Sequence, residues 1–363
     1  MRPRARSRRL SPEESLKRLR VFRSPPPTFN PLKASKRELT LYGLPHPPDP
    51  ATHPRQAKLW RMQMSDRPEW VAPELVVGGR EFVTHGGFPA GDDDFRGAGV
   101  PPSNHPLLDP ADKRFFTRPG ELQEQVARWL VNLFPYTSTT WSGAVAPQPG
   151  EPYNAVYASF TVPAVSPPSS AWNGKGYNDG SYQCLTWVGI DGWNGPDVMQ
   201  AGAFSQVTVS KGSFSYTYYA FYEFWPALWI SVPNFPVSPG DVLAVNVCAP
   251  FTTTHAVTTI ANKTTNQITT IGFDAPGTTK LSGAVAEWIV ENPGVQPNPN
   301  NPNPKAFANY GNVVFHDCIA GSKTQERDLF SATPINMTQS DGTVMSRGWI
   351  DSRSQLSCSY GTS

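Results

Sequence analysis

From about residue 139 the chain is written in short runs of β-branched and aromatic residues, cut every few positions by Gly, Pro, Asn or Asp, with almost no helical stretch between them. Asn154 to Val162, Tyr182 to Ile190, Val198 to Ser210, Phe214 to Phe224, Asp241 to Cys248, His255 to Ala261, Ala284 to Glu291 and Gly311 to Asp317 all carry this pattern. Leu228 to Val232, Gln267 to Phe273, Thr343 to Ile350 and Gln355 to Tyr360 are further candidates. So many strands without crossover helices imply antiparallel pairing, because parallel neighbours need a long connection between them. The expected fold class is all-β: antiparallel sheets packed as a β-sandwich. Pro293 to Lys305 alternates Asn with Pro, offers few N–H groups to a ladder, and is expected to be an exposed loop.

Residues 1–135 read differently. Ser11-Pro12-Glu13-Glu14 has the form of a helix start, with a hydroxyl cap, a proline in the first turn and a carboxylate three residues on. That helix is expected to run through Leu16, Leu19 and Val21 and to stop before Pro25-Pro26-Pro27. Pro45, Pro47, Pro48, Pro50 and Pro54 then hold the chain extended, and a short helix is expected around Ala57 to Met64. Leu122, Val126, Trp129, Leu130 and Leu133 recur at helical spacing between Gly120 and Pro135 and predict another helix. The organisation expected is therefore a mostly irregular, partly helical extension over 1–135 and a β-sandwich over 136–363.

The two parts carry opposite charge. Residues 1–135 hold 22 Lys and Arg against 15 Asp and Glu, whereas residues 136–363 hold 9 against 14. An acidic partner in the same chain explains the basic segment more simply than nucleic acid, which is not expected as a partner. The 39 Pro and 29 Gly are too many for a helical bundle, and 12% aromatic residues are too many for a disordered chain. No run approaches the ~18 apolar residues of a membrane span. Cys184, Cys248, Cys318 and Cys358 lack any CxxC spacing, so a zinc site is not expected, and oxidation would allow three pairings. Leu10, Leu16 and Leu19 stand isolated among charges, so no signal-peptide hydrophobic region is visible. Asn262-Lys263-Thr264 and Asn336-Met337-Thr338 are glycosylation sequons only in a secreted eukaryotic protein.

The chain has no G-x-S-x-G elbow and no H-E-x-x-H motif, and His255 and His316 are the two histidines of the β half, which argues against a serine triad and a zincin. Polar residues inside apolar strands are more informative, because each buried one costs ~1–3 kcal/mol unless it is paired. The period of two places Glu287, Ile289 and Glu291 on one face of their strand and Trp288 and Val290 on the other. Gln200 sits mid-strand beside small residues, and Glu223 stands among aromatics. These groups could face solvent on a half-exposed sheet, or line a cleft. A cleft could serve a carbohydrate-binding, lectin-like sandwich, or a glycosidase with Glu223 and Glu291 as its acid/base pair.

Five segments, in order, resemble the glutamic peptidases (eqolisins), whose type members are fungal acid proteases. They are Trp141-Ser142-Gly143-Ala144-Val145, Thr186-Trp187-Val188-Gly189-Ile190-Asp191-Gly192, Gln200-Ala201-Gly202, Tyr222-Glu223-Phe224-Trp225-Pro226 and Ala286-Glu287-Trp288-Ile289-Val290-Glu291. The resemblance covers about residues 139–360. It implies a concanavalin-like β-sandwich of two large antiparallel sheets, one bent around a cleft, and a catalytic dyad of Gln200 and Glu291 that shares one water. Trp141, Trp187, Asp191, Glu223 and Glu287 would line or support the site. The resemblance also implies an acid-active endopeptidase made as a proenzyme, with residues 1–135 as prosegment, a mature start near Tyr136 to Thr140, and a secreted or extracytoplasmic location. No cofactor is implied; the partners expected are protein or peptide substrates, with the enzyme a monomer. Trp193-Asn194-Gly195-Pro196-Asp197 lacks the Cys of fungal members, so no disulfide pattern carries over.

Overall fold

The computed structural model describes residues 10–65, 68–77, 130–148, 150–193, 197–249, 254–276, 280–293, 306–339 and 341–361. Its strands form one antiparallel ribbon that folds over on itself. From one end, Gln267–Asp274 pairs with His255–Asn262, then Val242–Cys248, Ala155–Thr161, Asn312–Gly321 and Leu356–Tyr360 follow. The ribbon turns through Val344–Ile350 and Thr333–Thr338. It continues as Trp141–Pro147, Val285–Glu291, Gly180–Ile190, Met199–Ser210, Ser213–Phe224 and Ile230–Ser231. The two arms of the ribbon are the two layers of the expected sandwich.

Alternation sends one side of each strand into the space between the layers. Val156, Phe160, Val245, Ile260 and Phe273 from the first layer share a core with Val188, Ala201, Tyr222 and Trp288 from the second. Trp288 crosses the gap, donating from Nε1 to the carbonyl of Tyr157 at 3.0 Å. The strands expected from sequence are present, most within two residues of the expected ends. Thr333–Thr338 escaped the pattern because Pro334 interrupts it, although this strand lies between two neighbours. The expected loop at Pro293 to Lys305 lies, beyond Pro293, outside the described residues. Cys184, Cys248, Cys318 and Cys358 are buried free thiols, and burial pushes the Cys248 thiol up to about 12. Asn262 of the first sequon is fully buried, its amide donating to Asp241 Oδ2 at 2.9 Å, so that side chain is occupied.

Ser11 caps the helix Pro12–Leu16 with the expected reciprocal bonds to Glu14. The helix stops at Leu16 rather than continuing, a correction with a clear cause. Leu19–Val21 leaves the helix to pair with Phe273, Gly272 and Ile271, whose edge groups would otherwise lack partners. The helix Lys36–Leu41 was not expected, yet Ser35 and Glu38 spell its capping box. The helix expected around Ala57 to Met64 is Pro54–Ser65, and the Glu326 carboxylate receives its first N–H groups, from Arg55 at 3.1 Å and Gln56 at 3.0 Å. Leu39, Leu44, Trp60 and Met64 pack on Ala244, Ala261 and Ile268 of the first layer's outer face. Each such buried side chain contributes about 1.5–3 kcal/mol. Of the helix predicted between Gly120 and Pro135, only residues from 130 on are described, and 130–132 are helical. No helix among the described residues is long and apolar enough to cross a membrane.

Candidate active site

The outer face of the second layer carries the acids singled out in the sequence. Across Trp141–Pro147, Val285–Glu291, Gly180–Ile190, Met199–Ser210 and Ser213–Phe224, the ladder aligns Val145, Glu287, Gly189, Gln200 and Glu223 in one row. The next same-face row is Gly143, Ile289, Trp187, Gly202 and Phe221, and the third is Trp141, Glu291, Leu185, Phe204 and Tyr219. Five of the seven expected site residues are therefore on two of these rows, and Trp187 stands between them. Asp191 lies one further position along the same strand face.

Gln200, Glu223, Glu287 and Glu291 are all fully buried. Trp187 Nε1 donates to Glu291 Oε2 at 2.8 Å. Gln200 Nε2 donates to Glu223 Oε2 at 2.6 Å, while Gln200 Oε1 has no hydrogen-bond partner among the described residues. Trp187 also meets Trp141 edge-on, with ring centroids 5.1 Å apart. Gly202 is the residue opposite Trp187, and a Cβ there would collide with the carbonyl of Thr186 and the Cα of Trp187. Glycine thus lets the strand bearing Gln200 approach the strand bearing Trp187.

Glu287 and Glu291 share a face, as the sequence indicated, but their surroundings differ. Glu287 Oε1 accepts the backbone N–H of Trp193 at 2.8 Å, and its Oε2 has no hydrogen-bond partner among the described residues. Burial, followed by the charges of Asp191 and Glu291, holds its carboxyl well above the ordinary carboxylate range, against the opposing Trp193 bond. Asp191 has a positive φ of 63° and accepts from Ser282 N at 2.5 Å, Ser282 Oγ at 2.9 Å, Gly283 N at 3.0 Å and Ala284 N at 2.7 Å. Those donors form the turn that leads into the strand of Glu287 and Glu291, so Asp191 supports that strand. Two aromatic features were not anticipated. Phe204, Tyr219 and Trp229 stack with centroids 4.5 and 5.2 Å apart, and Trp193 stacks on Tyr136 at 5.4 Å. Period-two spacing from Gln200 and Glu223 could have flagged Phe204 and Tyr219; Trp229 lies within the expected strand Leu228 to Val232, directly before Ile230–Ser231, and Trp193 follows the end of Gly180–Ile190, where no strand pattern reaches.

The arrangement can hold a carboxylate and an amide in defined orientations on an apolar floor of Trp141, Leu185, Trp187, Phe204, Phe221 and Ile289. Comparison with known proteins bears on what that floor serves. The family model of the Peptidase A4 family matches residues 139–360. Aspergillopepsin-2 of Aspergillus niger is 30% identical over 260 residues, spanning 69% of this chain and 84% of that protein. Scytalidopepsin B of Scytalidium lignicola is 27% identical over 230 residues, spanning 61% of this chain and 78% of its own length. A crystal structure of scytalido-glutamic peptidase with a transition state analog inhibitor aligns with a TM-score of 0.49 and 25% identity, covering 61% of this chain and 98% of the other. The match over the β half and the extent of shared sequence place this chain in the Peptidase A4 family, as an enzyme that hydrolyses peptide bonds.

Proposed function

We propose that the protein is an acid-active endopeptidase in which Gln200 and Glu291 act on one water and one scissile carbonyl. The observation that carries this reading is the pair of oriented, fully buried groups: Glu291 held by the Trp187 indole and Gln200 held by Glu223. Gln200 and Glu291 lie two strands apart, opposite Gly189 and Leu185 of the strand between them, with Trp187 midway on the diagonal. Along the strands their rows are four residues, about 13 Å, apart, so the reading requires a peptide group and its water to lie between the two side chains. Glu291 takes a proton as the water attacks the carbonyl carbon. One Gln200 N–H, with the other engaged by Glu223, stabilises the oxyanion, a role typically worth ~3–4 kcal/mol and independent of pH because an amide does not titrate. The tetrahedral intermediate then collapses, the C–N bond breaks, and Glu291 returns the proton to the leaving amine.

The reading includes synthesis as a proenzyme, supported by the basic extension and the acidic β half. The described basic contacts of the extension fall away from the cleft rows: Arg20 pairs with Asp274 at 2.9 Å on the edge of the first layer. Tyr136–Ser138 is a paired strand, and Asn132 exchanges hydrogen bonds of 2.9 Å with the backbone of Ile350. These contacts support processing upstream of Leu130, earlier in the chain than the Tyr136 to Thr140 start expected from sequence. Export follows the same reading. The test is peptide release from denatured casein near pH 3.5 with pepstatin present, for wild type and for the Gln200→Ala and Glu291→Ala variants. Both variants should lose activity by at least about 10²-fold while remaining folded. A fully active Glu291→Ala enzyme would overturn the mechanism.

A further inference from the structure

We infer that residues 10–77 of the extension are a permanent subunit of the fold, staying bound to the β half after the chain between them is cut. The first ground is the ribbon's two ends. Gln267–Asp274, at one end, is covered by Leu19–Val21 and by Glu69–Trp70. Ile230–Ser231, at the other end, is covered by Val76–Val77. One segment thus supplies the outermost strand at both edges, and its loss would bare two rows of backbone N–H and C=O groups.

The second ground is a surface shaped to receive it. A Cβ on Gly272 would lie 3.1 Å from Arg20 Cβ and 3.1 Å from the Phe22 ring, and one on Gly321 would lie 2.5 Å from Gln56 Oε1. At these two positions the sandwich lacks a side chain where one from the extension sits. His53 Nε2 meets the carbonyl of Ser322 at 3.0 Å, and Arg18 donates to the carbonyl of Ala275 at 2.6 Å. Neither acceptor is a carboxylate, so acidification does not remove it.

The third ground ties the segment to the cleft. Buried Ser15 accepts the Leu228 N–H on Oγ at 3.1 Å, and Leu10 N donates to Pro226 O at 3.3 Å. Asn234 bonds Glu74 N at 2.8 Å and Ala72 O at 2.9 Å. These contacts brace the stretch 225–235, which carries Trp229 onto the stack with Tyr219 and Phe204. The retained segment is a support for one wall of the cleft, and a structural partner rather than a departing inhibitor.

This inference refines the proenzyme reading, so its test does not depend on self-processing. A recognition site for an unrelated protease is inserted between Val77 and Leu130 of the full chain, the purified protein is nicked, and it is gel-filtered at pH 7 and at pH 4. Intact masses are then read across the peak. The inference expects both fragments in one peak at both pH values, separating only in denaturant. The upstream fragment eluting alone in native buffer overturns it. In the nicked Gly272→Val/Gly321→Val protein the upstream fragment should dissociate at least tenfold faster. Retention unchanged by that pair would also overturn it. Absence of self-cleavage in the uninserted chain would count against the proenzyme reading alone.

Discussion

Trp187 and Glu291 are 104 residues apart in sequence, yet the indole Nε1 donates to the Glu291 carboxyl at 2.8 Å on a fully buried sheet face. The contact is diagonal across the ladder: the residue directly opposite Trp187 is Ile289, and the one opposite Glu291 is Leu185. An indole N–H has no acceptor capacity and does not titrate, so it orients the carboxyl at every pH at which the fold persists.

Trp187→Phe keeps most of the ring and removes that donor. A hydrogen bond to a charged group contributes ~1.5–3 kcal/mol, so kcat/KM on a peptide substrate should fall about 10- to 100-fold with the fold retained. Steady-state kinetics beside a far-UV circular dichroism spectrum checks it, and an unchanged kcat/KM would separate Trp187 from the chemistry.

Glu223→Gln tests whether Glu223 orients the Gln200 amide. With an amide on both sides of a bond now 2.6 Å long, the donor and acceptor ends are no longer specified and Gln200 can turn over. The expected result is a drop of about tenfold in kcat, with KM within about twofold, because the lost interaction belongs to the transition state. A change confined to KM would make Glu223 a substrate-binding residue instead.

Glu287 carries the pH dependence. Its carboxyl is raised above the ordinary 4.5 in the folded chain, so the fold favours its neutral form. The folded chain binds more protons than the unfolded one above that value; the stabilisation is complete below it and is lost as pH rises through the shifted range. A loss of ~1 kcal/mol moves the melting temperature by roughly 2–4 °C in a domain of this size class. Calorimetry of wild type should show the melting temperature falling from pH 4 to pH 7, and Glu287→Gln should flatten that slope. Parallel slopes would show that Glu287 does not carry the loss.

Asp191 is expected to act on stability first and activity second. Its carboxylate satisfies three backbone N–H groups and a hydroxyl at the entry to the Glu287 and Glu291 strand. Asp191→Ala deprives those donors of their shared acceptor and places alanine at a positive φ, which together should cost about 3–5 kcal/mol. Asp191→Asn tolerates the backbone and keeps one acceptor, so it should cost about half as much. Chemical denaturation of the two variants compares them, and an alanine variant no less stable than the asparagine one would contradict this account.

The local code was legible without the fold. Strand runs, the Ser11 capping box, and the shared face of Glu287 and Glu291 follow from period, cap chemistry and alternation, which involve neighbours within a few residues. Alternation assigns a face but not a row. That Gln200 lines up with Gly189 and Glu287, while Glu291 lines up with Leu185 and Phe204, depends on the register of strands joined by turns of different lengths. The same limit hid the partners Trp187 and Trp193, which reach Glu291 and Glu287 from other strands or turns. Leu19 and Val21 extend the helix pattern begun at Ser11, yet the vacant edge of Gln267–Asp274 draws them into a strand, because unpaired backbone groups there outweigh a further turn of a short helix.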